Sequence, residues 1–336
     1  MSHKIKFKIQ RFDPTKDKKT YFKEYEVSLD MWNTVLEGLI KIRNENDPCL
    51  AFRMSCKSGI CGSCAMRING RARLACKTKI QDIYKNYSEV KIEPLGNLEV
   101  LKDLVVDMEP FYAEMKNLEP WLKNSYEKGQ HESRVSPEEN QKIEKSGECI
   151  WCGACFSDCP SREVNKNYMG PAASVQAHRF IFDVRDEHKK ERLEKIVDKK
   201  IWLCAHCEKA TENCPQKIDP QSVISDLREE TIHNDITKTI GAKHVLAVDK
   251  SIKLFGEISE SWLPVWTFGP LKVIRETKAA LKLLTHKKFP TLKPKKIRDF
   301  EDITLLYHEV YKDALEKIKN SGRTRKKMVD AQRTRH

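Results

Sequence analysis

Cys56-Lys57-Ser58-Gly59-Ile60-Cys61-Gly62-Ser63-Cys64, with Cys76 after it, and Cys149-Ile150-Trp151-Cys152-Gly153-Ala154-Cys155-Phe156-Ser157-Asp158-Cys159-Pro160 decide the reading of this chain. The first run spaces its thiols as C-x4-C-x2-C with a distant fourth, the plant-type spacing that holds a [2Fe–2S] cluster. Such a cluster needs four converging thiolates and backbone N–H groups aimed at sulfur. A loop that tight needs residues at positive φ, and Gly59 and Gly62 stand where they are required. Cys76 follows Ala65-Met66-Arg67-Ile68 and Ala72-Arg73-Leu74-Ala75, two short strands around Asn69-Gly70, so a hairpin returns it to the loop. The expected [2Fe–2S] ligands are therefore Cys56, Cys61, Cys64 and Cys76. Cys49 falls outside the spacing and is expected to be a packed free thiol.

The second run is C-x2-C-x2-C-x3-C-P, answered downstream by Cys204-x2-Cys207 and Cys214-Pro215. In this arrangement the first three cysteines bind one cubane and the fourth binds its neighbour. Cys149, Cys152 and Cys155 with Cys214 are thus expected to hold a [4Fe–4S] cluster, and Cys159, Cys204 and Cys207 a second cluster. Seven cysteines serve two clusters, one short of two full sets, and Ala210 stands where a complete second motif would place the eighth. The shortage favours a [3Fe–4S] cluster at the second site; a second [4Fe–4S] cluster with water or a non-cysteine ligand stays open. Zinc on the same thiols, in a zinc-binding interaction protein, is the competing chemistry; finding roughly equal iron and inorganic sulfide in the isolated chain would exclude it.

Beyond the cysteines the chain shows no substrate machinery, neither a Gly-x-Gly-x-x-Gly fingerprint nor a P-loop. His178, His206 and His244 are isolated and read as structural, although His206, between Cys204 and Cys207, could stand beside the second cubane-type site. Of the 336 residues 39% are hydrophobic and 33% charged, and no run approaches the roughly 18 apolar residues of a membrane span. The alternating Lys4-Ile5-Lys6-Phe7-Lys8-Ile9 reads as a strand rather than a leader, so the chain is expected to stay in a reducing compartment, where clustered cysteines serve metals. The net charge of +13 suits an anionic membrane or an acidic partner; no stacking aromatics interleave the basic tail, so no nucleic acid is expected.

The pattern along the chain predicts an α+β protein: an N-terminal β-grasp [2Fe–2S] ferredoxin-like domain (1–100), an all-α bacterial-ferredoxin-like domain with two cubane-type clusters (101–240), and a basic helical C-terminal extension (241–336). Strands are expected over Ile5–Arg11 and Tyr21–Leu29, with a helix capped by Asp30 from Trp32 to about Arg43 and a closing strand over Val90–Pro94. From Asp103 the spacing of Leu104, Val105, Met108, Phe111, Tyr112 and Met115 predicts a helix. Asn124–Asn140 reads as an exposed linker. Helices are expected over Ala172–Phe182, Asp186–Val197 and Pro220–His233, then amphipathic segments near Leu271–Leu284 and Ile303–Ile318. Trp262–Ile274, broken by Pro264, Gly269 and Pro270, reads as either a docking surface or a buried loop and helix.

Over residues 1–235 the chain resembles the iron–sulfur subunit of succinate dehydrogenase and fumarate reductase. The resemblance rests on Asp47-Pro48-Cys49-Leu50-Ala51-Phe52-Arg53-Met54-Ser55-Cys56, on Ser58 through Met66, and on Arg73-Leu74-Ala75-Cys76. It continues in Lys102 through Met108, Glu119-Pro120-Trp121-Leu122, Cys149 through Ser161, Gly170-Pro171-Ala172 and Asp183-Val184-Arg185-Asp186. The resemblance implies an electron carrier between an FAD-containing flavoprotein subunit and a quinone at a membrane anchor, through [2Fe–2S], [4Fe–4S] and [3Fe–4S] clusters in that order. It also implies a peripheral place on the cytoplasmic side of the inner membrane, held by partner subunits.

Three departures mark the chain off from the familiar members. Those carry the third distal cysteine at position 210, where this chain has Ala210, and an aliphatic residue where it has Cys207. Their quinone-pocket tryptophan falls near Val164. About a hundred residues extend past their usual end, and Phe255–Pro294 faintly resembles heterodisulfide-reductase iron–sulfur subunits. Together these imply a non-classical complex with a peripheral, cysteine-rich anchor, or alternatively a subunit of a heterodisulfide-reductase-like or other thiol- or flavin-linked oxidoreductase.

Overall fold

Alternating apolar residues make two nine-residue strands at the N-terminus, β1 (His3–Arg11) and β2 (Tyr21–Leu29), paired antiparallel with His3 opposite Leu29 and Arg11 opposite Tyr21. The inward side chains Ile5, Phe7, Ile9, Val27 and Leu29 are buried. In this computed structural model residues 3–125, 134–275, 282, 285–286, 296–298 and 300–309 are described, in two units, Met1–Ile236 and Thr237–His336.

The first unit opens with a five-stranded mixed sheet of order β2-β1-β5-β3-β4, where β3 is Ala65–Ile68, β4 Arg71–Leu74 and β5 Val90–Glu93. Strand β5 runs parallel to β1 and antiparallel to β3. The expected hairpin is present: Asn69 (φ 49°) and Gly70 (φ 78°) turn β3 into β4. One helix, α1 (Val35–Glu45), lies against the sheet through Leu36, Leu39 and Ile42. It starts later than expected. Thr34, not Asp30, caps it, through a reciprocal capping box with Glu37, and Trp32 stays outside, 69% exposed with Lys79 over its ring. A short helix α2 (Ile80–Tyr84) precedes β5.

The helix predicted from Leu104 begins only at Glu109. Ahead of it Val100–Lys102 (β6) and Val105–Val106 (β7) form a small hairpin around Asp103, whose φ is 49°. The buried Asp103 carboxylate accepts from Arg11 Nε (2.9 Å), Phe12 N (3.0 Å) and Ala51 N (2.9 Å), pinning the hairpin to the sheet and to the segment entering the cysteine loop.

The rest of the unit is helical. In order it comprises α3 (Glu109–Asn117), α4 (Pro137–Gly147), α5 (Ala154–Ser157), α6 (Pro160–Val164), α7 (Pro171–Ile181) and α8 (Lys189–Asp198). A single 3-10 turn (Ile201–Leu203), α9 (Lys209–Asn213) and α10 (Pro220–His233) complete it. Part of the expected linker is thus helix, started by a capping box between Ser136 and Glu139; residues 126–133 of that linker lie outside the described residues. Helix α7 is buried from Pro171 through His178 and forms the axis of a second core with Phe111, Phe156, Tyr168, Leu193, Ile224 and Leu227. The two cores make the chain α+β, as expected.

In the second unit Thr239 caps α11 (Ile240–Phe255), followed by α12 (Trp262–Phe268) and α13 (Pro270–Arg275). The apolar stretch from Trp262 is therefore helical but not buried: Trp262, Phe268 and Leu271 are exposed. Most of the amphipathic segments expected near Leu271–Leu284 and Ile303–Ile318 lies outside the described residues beyond Arg275 and Glu309.

Candidate metal centres

The loop from Cys56 to Cys64 gathers its thiols at one end of the sheet. Cys64 and Cys76 are buried, Cys56 half-buried and Cys61 exposed. The backbone N–H groups of Ser58, Ile60 and Cys61 donate to Cys56 Sγ at 3.4, 3.4 and 3.3 Å. These donors pull the Cys56 thiol down to about 6, into the thiolate range at neutral pH. Cys64 answers oppositely: burial pushes it up to about 12, with repulsion from Cys76 and Cys61 added. The Cys64 carbonyl accepts from Ala75 N at 3.1 Å, which is how the hairpin returns Cys76 to the loop.

The second group lies among the helices. Burial raises Cys149, takes Cys152 to about 12 and lifts Cys155 well above the thiol range, and Cys214 stands near enough to repel all three. Burial likewise raises Cys159, with Cys204 and Cys207 as the nearby repelling thiols. The thiols therefore fall into three sets: Cys56, Cys61, Cys64 and Cys76; Cys149, Cys152, Cys155 and Cys214; and Cys159, Cys204 and Cys207. Cys155 also feels Cys159, so the last two sets adjoin. Cys49 is exposed, not packed, because it sits on the turn before Leu50 with only its backbone N–H tied, to Asp47.

Around the third set stand groups that spacing could not reveal. The Tyr168 hydroxyl is buried, makes no hydrogen bond of ordinary geometry, and has Cys204, Cys159 and Ser174 as its polar neighbours. Arg228 donates to the Cys204 carbonyl at 2.8 Å and the Ile201 carbonyl at 3.1 Å, and pairs with His206 Nε2 at 2.7 Å. His206 is thereby held as an acceptor on its ε nitrogen, at a backbone φ of 50°.

Two features join the sheet to the helices at the cysteines themselves. Gly62 has φ +73°, and a Cβ added there would lie 2.8 Å from Cys152 Cβ, 2.9 Å from its Cα and 3.1 Å from the Ile150 carbonyl. The two cysteine loops thus touch through a residue that must lack a side chain. Asp158, between Cys155 and Cys159, accepts from Ala72 N on β4 (2.9 Å) and from Asn213 Nδ2 (2.8 Å), next to Cys214, while Arg67 on β3 pairs with it at 3.2 Å. Arg71 bonds Asn213 Oδ1 at 3.1 Å. Asn97 donates to the carbonyls of Phe156, Ser157 and Cys159 at 2.9–3.1 Å. Only Asp158 carried a sequence signal, its place inside the C-x3-C motif; Asn97, Arg71, Asn213, Tyr168 and Arg228 had none.

The donor chemistry fits iron–sulfur clusters. Five crowded thiols raised by burial are hard to ionise alone, and bound cationic iron reverses that penalty. The buried Tyr168 hydroxyl stands beside Cys204 without a well-formed hydrogen bond, a polar donor at the third set of thiols. Among the described residues no three His, Cys, Asp or Glu side chains converge on a single-ion position. A cluster asks for no such point, since its thiolates bind different irons several ångströms apart and inorganic sulfide bridges those irons.

Two domain families match the chain: the 2Fe-2S iron-sulfur cluster binding domain over residues 6–113 and the 4Fe-4S dicluster domain over residues 145–218. In overall fold the chain is similar to one from the Mycobacterium smegmatis Sdh1 complex in the apo form, with TM-score 0.63 and 23% identity, covering 71% of this chain and 99% of that one. A hypothetical protein from Helicobacter pylori aligns at TM-score 0.43 and 17% identity, over 71% of this chain and 43% of that one. The chain thus matches a 2Fe-2S cluster binding domain followed by a 4Fe-4S dicluster domain, and its fold is similar to that of a chain of the Sdh1 complex.

Proposed function

We propose that this chain is the electron-relay subunit of a membrane-associated succinate dehydrogenase or fumarate reductase, working between an FAD-containing flavoprotein and a quinone-reactive membrane anchor. The observation that carries the reading is the van der Waals contact of Gly62 with Cys152, which brings the two cysteine loops together as a relay requires. In this reading Cys56, Cys61, Cys64 and Cys76 would hold a [2Fe–2S] cluster, and Cys149, Cys152, Cys155 and Cys214 a [4Fe–4S] cluster. Cys159, Cys204 and Cys207 would hold a [3Fe–4S] cluster, or a [4Fe–4S] cluster with a non-cysteine ligand. When bound, the clusters supply one-electron steps at potentials tuned by hydrogen bonds and burial.

The protein's part is positional. The N–H groups of Ser58, Ile60 and Cys61 favour anionic sulfur at Cys56. The buried Cys64 and the half-buried Cys152 and Cys155 limit the access of water. Arg228 places a cation beside the distal thiols, nearest the proposed quinone end. Val164, near where the relatives' quinone-pocket tryptophan falls, is 89% exposed. It offers no ring for that pocket, which supports a non-classical anchor, peripheral and cysteine-rich.

The test is to isolate the chain from native membranes with whatever stays bound, then measure iron, sulfide, succinate oxidation and dye-driven fumarate reduction. A co-purifying flavoprotein with either activity is the expected result. Iron-loaded protein with neither activity would sink the succinate–fumarate assignment and favour the thiol-linked alternative.

A further inference from the structure

The second unit inverts the usual order of a small helical domain. Among its described residues the buried ones are small or polar: Ala242, Ala247, Ser251, Ser259 and Thr267. Its large apolar side chains face solvent instead, among them Leu254, Ile258, Trp262, Phe268 and, 79% exposed, Leu271. The rings of Phe255, Trp266 and Trp262 stack in a ladder, with centroids 6.5 and 5.8 Å apart. Lysines lie over this aromatic surface: Lys250 sits 4.6 Å from the Trp266 ring and Lys272 4.9 Å from that of Phe268.

Charge separates the two units equally sharply. Residues 237–336 hold 23 Lys and Arg against 11 Asp and Glu, so 12 of the 13 excess positive charges belong to this unit and the first unit is nearly neutral. Among the described residues no helix is long and apolar enough to cross a membrane.

We propose that the second unit is a monotopic docking surface for an anionic lipid leaflet. Tryptophan and phenylalanine rings seated beside lysine ammonium groups match the headgroup boundary, where a ring meets the acyl region and the cation meets phosphate. An acidic protein partner would satisfy the charge alone, whereas a bilayer also takes up Leu271, Phe268 and Trp262. The surface is independent of the cluster reading, and gives the chain its own hold on the membrane besides any anchor subunit.

The test uses the full cluster-loaded chain in flotation with phosphatidylcholine vesicles, with and without phosphatidylglycerol. Each lysine at an anionic surface is worth about fivefold in binding. Binding is expected to be at least about tenfold tighter to the anionic vesicles and to fall with salt. The double change Lys250→Glu and Lys272→Glu should lower it at least about tenfold. Leu271 is too exposed for Leu271→Asp to disturb the fold, and that variant should also weaken binding severalfold at unchanged iron content. Equal binding to both vesicle types, or anionic binding untouched by both variants, would overturn the proposal. So would capture by soluble polyglutamate without vesicle binding, which would assign the surface to an acidic protein.

Discussion

Replacing Gly62 by alanine tests whether the two cysteine loops are set by their contact. The substitution has two separable costs. At φ +73° an alanine pays for the left-handed backbone, about 1–2 kcal/mol. Its Cβ would also meet Cys152 Cβ at 2.8 Å, where ordinary contact begins near 3.4 Å, so the loops must part by about 0.6 Å or strain. Overpacking of this kind adds about 1–3 kcal/mol. Gly70 is the matched control: its φ is +78° and nothing lies within 4 Å of an added Cβ, so Gly70→Ala carries the backbone cost alone. Gly62→Ala should therefore destabilise the first unit by about 1–3 kcal/mol more than Gly70→Ala, lowering the apparent unfolding temperature by roughly 2–12 °C more. Electron tunnelling and magnetic coupling both fall steeply with distance. Electron paramagnetic resonance of the reduced protein should show weaker coupling between the two clusters proposed for these loops in Gly62→Ala, at full iron content, and none of that change in Gly70→Ala. Equal melting of the two variants with unaltered coupling would refute the contact as the spacer.

Two further predictions rest on charged groups. Arg228→Gln removes a cation and the donors to the Ile201 and Cys204 carbonyls, so it should cost about 2–4 kcal/mol and lower the midpoint potential of the cluster proposed at Cys159, Cys204 and Cys207 in a potentiometric titration. Arg228→Lys should recover most of the potential, and an unchanged midpoint in Arg228→Gln at full cluster content would remove the residue from redox tuning. Burial alone would raise the Asp183 carboxyl, but the bonds from Arg185 and Arg179 overcome it and hold it at about 2 against an ordinary 3.8. Because the folded value is the lower one, Asp183 contributes about 2 kcal/mol above pH 4 that is lost as pH falls from about 4 to 2. Denaturant melts should show the wild-type chain losing this margin over that window while Asp183→Asn does not.

The two ferredoxin-like halves were readable because cluster ligation leaves its period in the sequence. Cys56-x4-Cys61-x2-Cys64 and the alternation through β1 each allow one local geometry, and the structure has both. Failures came where two periods coincide. Leu104, Val105 and Met108 suit a helix face, yet Leu104 and Val106 also point inward from a hairpin, and Asp103 at positive φ decides for the hairpin through long-range bonds to Arg11 and Ala51. Asp30 looked like a cap because a capping residue is common there, but the Thr34–Glu37 box is the stronger local solution. Cys49 was expected inside because lone cysteines usually are; its turn leaves it outside.

The join between the halves was hard to read for a different reason: Gly62 and Asp158 were marked only as parts of their own cysteine motifs, and nothing in the sequence tied either one to the opposite half. Asp158 follows Cys155 by three residues and precedes Cys159, Asn213 precedes Cys214, and Gly62 lies between Cys61 and Cys64. Each therefore inherits a position fixed by its neighbours, and its remaining freedom goes into the other half of the unit. The Asp158 carboxylate is satisfied at once by β4, by Arg67 on β3 and by Asn213, so moving the hairpin strips a buried carboxylate of its donors. Holding β3 and β4 in place also holds Cys76, and with it the loop that touches Cys152. The two cysteine loops are thus held beside each other by residues outside the proposed ligand sets, Gly62 by its lack of a side chain and Asp158 by its donors from β4, Arg67 and Asn213.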